Sequence, residues 1–364
     1  MDGQLANKIT GYGGKEAGEP VSSFVKARRR RGQLVIALLL LILLLTLGTG
    51  VILGAVKIRL SHLIRALRLW PDSGLPVDDS TKAIIIELRL PRALLAAMVG
   101  AALALAGACF QALFLNPMAD PYILGASAGA ALGATLAFLF PVDQLPFGIG
   151  LVPLAAFAGA AVTVLLVSRL ARSGNYISLY GMLLSGLAVS AFFSALVSLL
   201  MYFSHQRLQQ IVFWLMGGLG RANWLYVRTS LPYFIVGAAV VQIQARALNV
   251  LLLGEETAAS LGVEVERTKR WLFLGASLLT ATAVAVSGPI GFVGLIVPHV
   301  LRMLVGTDHR LLLPASALGG GILVVAADTL ARTVIAPTEL PVGLIMALGG
   351  APFFLSLLKR RPPL

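Results

Sequence analysis

Leu34-Val-Ile-Ala-Leu-Leu-Leu-Leu-Ile-Leu-Leu-Leu-Thr-Leu47 is apolar at every position except Thr46. A helix on a soluble domain breaks such a run with polar residues every third or fourth position, and a half-buried strand breaks it at every second. Neither interruption occurs, so the stretch reads as a helix with apolar surroundings on every side, which is a membrane span. The apolar segment extends over about 33–56, longer than the core of a secretory signal and without a small-x-small cleavage site in a polar setting. It is therefore a retained first span, and the basic run Lys26, Arg28, Arg29, Arg30 and Arg31 before it puts the N-terminus on the cytoplasmic side.

The rest of the chain has the same character. Of 364 residues 58% are hydrophobic and 12% charged, with a mean hydropathy of +0.88; soluble domains carry about 25% charged residues. At roughly 20 residues per span the apolar content allows on the order of ten. A soluble enzyme and a single-pass anchored protein are excluded, and an outer-membrane barrel would show alternation instead of runs. Nine further spans read near 93–115, 122–140, 151–170, 178–203, 226–245, 271–287, 292–305, 311–331 and 342–358, so both termini face the cytoplasm. Of the 29 basic residues, 18 then fall inside and the rest outside, the bias the positive-inside rule requires. The outside excess concentrates between the first two spans and needs a reason. The lone Cys109 lies in an apolar stretch, which rules out an intrachain disulfide and a thiol-ligated cluster.

The spans are rich in small residues. Gly125-Ala-Ser-Ala-Gly129-Ala-Ala-Leu-Gly133 places glycines four apart on one helix face, where neighbouring backbones approach closely. Two segments interrupt the apolar pattern with proline and glycine: Asn116-Pro-Met-Ala-Asp-Pro121 before the third span and Ser287-Gly-Pro-Ile-Gly-Phe-Val-Gly294 between the seventh and eighth. Each leads into a Gly-rich helix, and five spans separate them, so two similar halves would be inverted in the membrane. Such repeats suit alternating access.

Chemistry-bearing residues are scarce. Asp328 stands one turn before Arg332 and reads as a local i,i+4 ion pair in preference to a proton relay. His309 reads as solvated at a helix end. There is no GxxxxGK[ST], and Gly217-Gly-Leu-Gly220 before Arg221 lacks the lysine and hydroxyl that hold phosphate, so the energy source lies elsewhere. No catalytic arrangement and no metal-ligand cluster stand out. The segment Leu251-Leu-Leu-Gly-Glu-Glu-Thr-Ala-Ala-Ser-Leu-Gly-Val-Glu-Val-Glu-Arg267 predicts a short helix over 255–261, broken at Gly262. Its small residues suit docking into a groove on a cytoplasmic partner.

Several motifs resemble the FecCD-type permeases over about 34–361: Arg89-Leu-Pro-Arg92, the run from Gly107 through Gln111 to Pro121, Trp214-Leu-Met-Gly-Gly218 with Asn223-Trp224, Gly291-Phe-Val-Gly-Leu-Ile-Val-Pro-His299, and Glu339-Leu-Pro-Val-Gly343 with Gly350-Ala-Pro352. Only residues 1–33 fall outside, as a flexible cytoplasmic segment. The resemblance implies an all-α polytopic permease of about ten transmembrane helices, paired with a second copy of itself in the prokaryotic inner membrane. It implies two cytoplasmic ATPase subunits, which hold the ATP and Mg while this chain binds no cofactor, and an extracytoplasmic substrate-binding protein; nucleic acid has no part. The cargo is an iron-siderophore chelate, haem or cobalamin. Carried over by motif, Arg89, Arg92 and Arg332 look like the outer arginines that receive the binding protein, which explains the outside excess. Asn116 and Met118, where the family more often has leucine, resemble one side of a cytoplasmic gate, with Ser178 and Leu179 near the other. Coupling to the ATPase falls at about 251–267, on Glu255, Ala258, Ala259, Leu261, Gly262 and Arg267. The competing class, a secondary transporter without an ATPase, lacks intramembrane carboxylates to support it.

Overall fold

The computed structural model describes residues 21–54, 56, 58, 79–140, 150–173, 176–204 and 206–359. The N-terminal twenty residues, Lys57, Arg59, Arg65 and Arg68 of the outside basic group, and Arg360 and Arg361 lie outside the described residues. In chain order the helices are α1 (Val21–Ile52), α2 (Asp79–Leu113), α3 (Ala126–Leu139), α4 (Leu151–Leu170), α5 (Leu179–Phe203), α6 (Leu208–Leu215), α7 (Trp224–Ile243), α8 (Ala245–Leu251), α9 (Glu255–Ser260), α10 (Val265–Ser287), α11 (Val293–Val305), α12 (His309–Thr333) and α13 (Val342–Lys359). A two-stranded antiparallel pair, β1 (Arg172–Ser173) with β2 (Tyr176–Ile177), registers Arg172 opposite Ile177 between α4 and α5. The fold is all-α in class.

Seven helices are long and apolar enough to cross a membrane, and shorter apolar helices cover Ala126–Leu139, Val293–Val305 and Val342–Ser356. These ten coincide with the ten apolar stretches of the sequence. Two boundaries differ by more than ten residues. α1 begins at Val21, so the latter part of the segment assigned as flexible is continuous with the first span. α2 begins at Asp79, well before the expected start at residue 93, and passes through a π-helical turn at Ile84–Arg89. The charged Lys82, Glu87, Arg89 and Arg92 hide this start from a hydropathy reading; Lys82 and Glu87 are exposed, while tertiary partners take up Arg89 and Arg92. The wide turn leaves the Ile86 carbonyl free to accept the Trp224 indole N–H at 2.9 Å.

Helices α2, α10 and α12 are the most buried; α1, packed on α12, and α5, packed on α3 and α4, present most of their length outward. Close crossings depend on glycine: a methyl on Gly100 of α2 would overlap the Gly320 carbonyl of α12, and one on Gly129 of α3 would overlap the Gly159 carbonyl of α4. The small-residue face of α3 is thus a packing surface against α4. α12, with 25 residues, spans about 37 Å. It therefore separates two ends of the molecule, one holding Arg332 and the other His309. His309 is buried, not solvated: its Nδ1 and backbone N both lie 2.8 Å from Asn249 Oδ1, tying the end of α8 to the start of α12.

Candidate functional site

At the Arg332 end, three arginines converge from two helices. Arg89 donates from Nη1 to the carbonyls of Val51 at 2.9 Å and Ile52 at 2.7 Å, and from Nη2 to Val56 at 2.6 Å. Arg332 donates from Nη2 to Gly50 at 2.7 Å and from Nη1 to Leu53 at 3.2 Å. Apart from Val56, which lies past the helix, these are carbonyls that the end of α1 leaves without intrahelical donors, and cations favour that end of the dipole. Arg89 and Arg332 therefore hold the C-terminus of α1 and are 7% and 6% exposed. The donors of both guanidinium groups are taken internally.

Asp328 accepts from Arg332 Nε at 3.0 Å, as the i,i+4 spacing predicts. It also accepts a fork from Arg92, Nη2 at 2.9 Å and Nε at 3.0 Å, which the sequence did not reveal. Arg92 Nη1 reaches Glu339 at 2.9 Å. Within the group Glu339 is the exposed member, its side chain 45% accessible.

Arg92 and Glu339 also line a cavity of about 390 Å³, whose other walls include Gln209, Trp214, the loop from Gly217 to Arg221, Tyr226 and Ser287. α6 and the glycine run after it form its rim. The rim is fastened to two helix ends: Gly218 N–H donates to the Ser287 carbonyl at the end of α10 at 2.7 Å, and Gly343 N–H, at the start of α13, to the Gly217 carbonyl at 3.1 Å. Gly217 needs its small side: its φ is +69°, and any Cβ would overlap the Pro289 carbonyl.

The two proline-glycine breaks meet. Pro121 packs against Gly294, and the Tyr122 hydroxyl donates to the Ile290 carbonyl at 3.1 Å while accepting the Ile290 N–H at 3.0 Å. Irregular backbone in a membrane requires such internal partners. Pro298, inside α11, has no N–H for the Gly294 carbonyl four residues earlier. Gln111 Nε2 supplies the donor at 3.1 Å, and its Oε1 accepts from Arg302 at 2.9 Å. Gln111 and Glu339 stood only inside quoted motifs; Gly294 with Pro298 signals an orphan carbonyl, but nothing in the sequence names the side chain that satisfies it.

Beyond Gln111 the chain turns. Asn116 Oδ1 accepts the Met118 N–H at 2.9 Å, fixing the bend with Asn116 exposed and Met118 half-buried. Asp120 caps the following Pro121–Leu124 turn by accepting the Tyr122 N–H at 2.8 Å. Burial pushes the Asp120 carboxyl up to about 6, against the lowering effect of that hydrogen bond. Ser178 caps α5 by accepting the Gly181 N–H at 3.0 Å, with Leu179 beside it half-buried. α9 matches the predicted short helix, ending at Gly262 with φ +83°. Ala259 and Leu261 face outward, but Ala258 is fully buried within its own chain, so the face open to a partner excludes it. Arg267 pairs with Glu264 at 3.2 Å on the surface, and Glu255 with Lys269 at 2.6 Å.

The FecCD transport family matches residues 38–360. The chain is 50% identical over 285 residues to the cobalamin import system permease protein BtuC of Halobacterium salinarum, covering 78% of this chain and 76% of that one. It is 46% identical over 299 residues to the hemin transport system permease protein HmuU of Yersinia pestis, covering 80% and 87% of the two chains. Its fold superposes on an ABC transporter classed as metal-chelate type, solved in an inward-facing conformation. The TM-score is 0.77 at 33% identity, over 90% of this chain and 99% of that one. With α2 to α13, both breaks and most of the apolar part of α1 inside the matched region, this chain belongs to the FecCD transport family.

Proposed function

We propose that the chain is the membrane-spanning permease subunit of an ATP-binding-cassette importer for an iron-siderophore chelate, haem or cobalamin. The observation that carries this reading is the family match over residues 38–360, joined by relatives that are permeases for cobalamin and hemin. The chain supplies the path, two copies of it flank that path in the inner membrane, and both termini face the cytoplasm. Separate ATPase subunits bind ATP and Mg and engage α9, and an extracytoplasmic binding protein delivers the cargo. Asp328 gives the secondary-transport alternative no support, since two arginines already hold it.

For the docking of the binding protein, Arg92 is the arginine of choice, because its contact with the exposed Glu339 is exchangeable whereas Arg89 and Arg332 are committed to α1. The turn at Asn116 and Met118 closes the path on the cytoplasmic side together with Ser178 and Leu179. The test is reconstitution in liposomes with the ATPase and the binding protein, ATP inside and one cargo of each class outside. ATP-dependent uptake of one class is expected. Uptake driven by a proton or sodium gradient without the ATPase would overturn the reading.

A further inference from the structure

The short helix α9 is held at both ends. It has six residues, too few to keep an orientation by its own hydrogen bonds, and it lies between two glycines with positive φ, Gly254 at +101° and Gly262 at +83°. Its C-terminus is closed by a pair of bonds, Gly262 N–H to the Ala259 carbonyl and Val263 N–H to the Ala258 carbonyl, each at 3.0 Å. That pattern uses the left-handed glycine to satisfy the last carbonyls, while Ala258 anchors the middle of the helix in the core.

The other end is held by charge. Glu255 Oε2 lies 2.6 Å from Nζ of Lys269, one turn into α10, and the lysine side chain is only 9% exposed. A lysine this enclosed keeps its stem among apolar neighbours and requires an acidic partner; its second carboxylate, Glu266, is at 3.5 Å on α10 itself. α10 has 23 residues and so extends about 35 Å. Its far end carries Ser287, whose carbonyl binds the cavity rim through Gly218 N–H at 2.7 Å.

We propose that Lys269 is the positioning residue that locks α9 to α10, so that a partner pressing on the exposed Ala259 and Leu261 displaces the break at 288–292 and the cavity rim instead of merely swinging α9 about its two glycines. This rests on the permease reading above. The lock itself is a property of the chain alone, and the two are tested separately.

Hydrogen exchange is measured on the full chain in nanodiscs without ATPase, for wild type, Lys269→Met, Glu255→Gln, the double variant and Lys269→Arg. Amides of 255–261 are expected to exchange about tenfold faster in both single variants, with no further gain in the double and little change in Lys269→Arg. Exchange in that segment unchanged from wild type in both single variants would overturn the lock, whatever the protein transports. In the reconstituted complex, cargo moved per ATP hydrolysed is expected to fall about fivefold or more in Lys269→Met and Glu255→Gln while hydrolysis persists, and to recover in Lys269→Arg. A merely structural role would lower assembly and leave that ratio intact, so an unchanged ratio in Glu255→Gln overturns the transmission. A wild-type complex without ATP-driven uptake would count against the permease reading and leave the exchange result decisive for the lock.

Discussion

Single side chains at this protein's breaks do the work that regular hydrogen bonding does elsewhere. Gln111 stands in for the N–H that Pro298 lacks, so Gln111→Leu leaves the Gly294 carbonyl orphaned and should cost about 1–3 kcal/mol. Pro298→Ala returns a backbone donor, and the double variant should regain much of that loss. Unfolding curves in detergent, with all four members of the cycle, check the non-additivity. Asp120 makes a pH prediction. Its usual value is 3.8 and the folded chain raises it to about 6, so between these values the unfolded state has lost a proton that the folded state keeps. Stability from this group is therefore greatest below the unfolded value and declines as pH rises through that window. Asp120→Asn keeps an acceptor for Tyr122 and removes the charge. It should stabilise the protein at pH 7.5 by on the order of 2 kcal/mol, with the gain shrinking toward pH 4 in melts across that range.

Among the elements, α9 shows how burial separates two alanines that composition treats alike. Ala258 is fully buried and Ala259 is exposed. Ala258→Leu overpacks the chain's own core and should lower the melting point of the isolated permease, by about 1–3 kcal/mol in stability. Ala259→Leu should leave that melt unchanged and weaken retention of the ATPase in co-purification. Equal effects of the two on both measurements would contradict the orientation of the helix. The π turn in α2 is another element whose consequence is positional: it feeds Arg89 toward α1 and Arg92 toward Asp328, and frees a carbonyl for Trp224.

At the scale of the whole molecule, the arginine cluster joins α1, α2 and α12 at one end, while Asn249, Gln111, Arg302 and His309 join α8, α2, α11 and α12 at the other. Within the cluster Arg92 serves both roles, integrity through Asp328 and docking through its contact with the exposed Glu339, whereas Arg89 serves integrity alone. Arg92→Glu, besides losing the fork on buried Asp328 and so loosening α2 from α12, should slow association of the binding protein, most at low salt, because interfacial charge acts mainly on the on-rate; stopped-flow association reads this. Arg89→Glu should instead destabilise the permease by releasing the end of α1. If the gate lies at the Asn116 turn, Met118→Cys in a Cys109→Ala background should cross-link two copies in the nucleotide-free complex, and less once the inner side opens. Absence of cross-linking in every trapped state would move the gate elsewhere.

The apolar runs determined the class, the ten helices and both breaks, because a bilayer demands long unbroken apolar helices and tolerates proline and glycine only where the backbone has partners. Spacing alone gave the Asp328 and Arg332 pair and the bend at Gly262, since both are local. What local pattern does not encode is which distant group answers a charge or an orphan carbonyl. Arg92 reaches Asp328 across 236 residues, Gln111 reaches Gly294 across 183, and Arg89 reaches Val51 across 38. Hydropathy read those arginines as a polar stretch outside the membrane. Tertiary packing turned them into anchors, because a guanidinium whose donors meet carbonyls, as in Arg89, or carboxylates, as in Arg92, within about 3 Å needs little water.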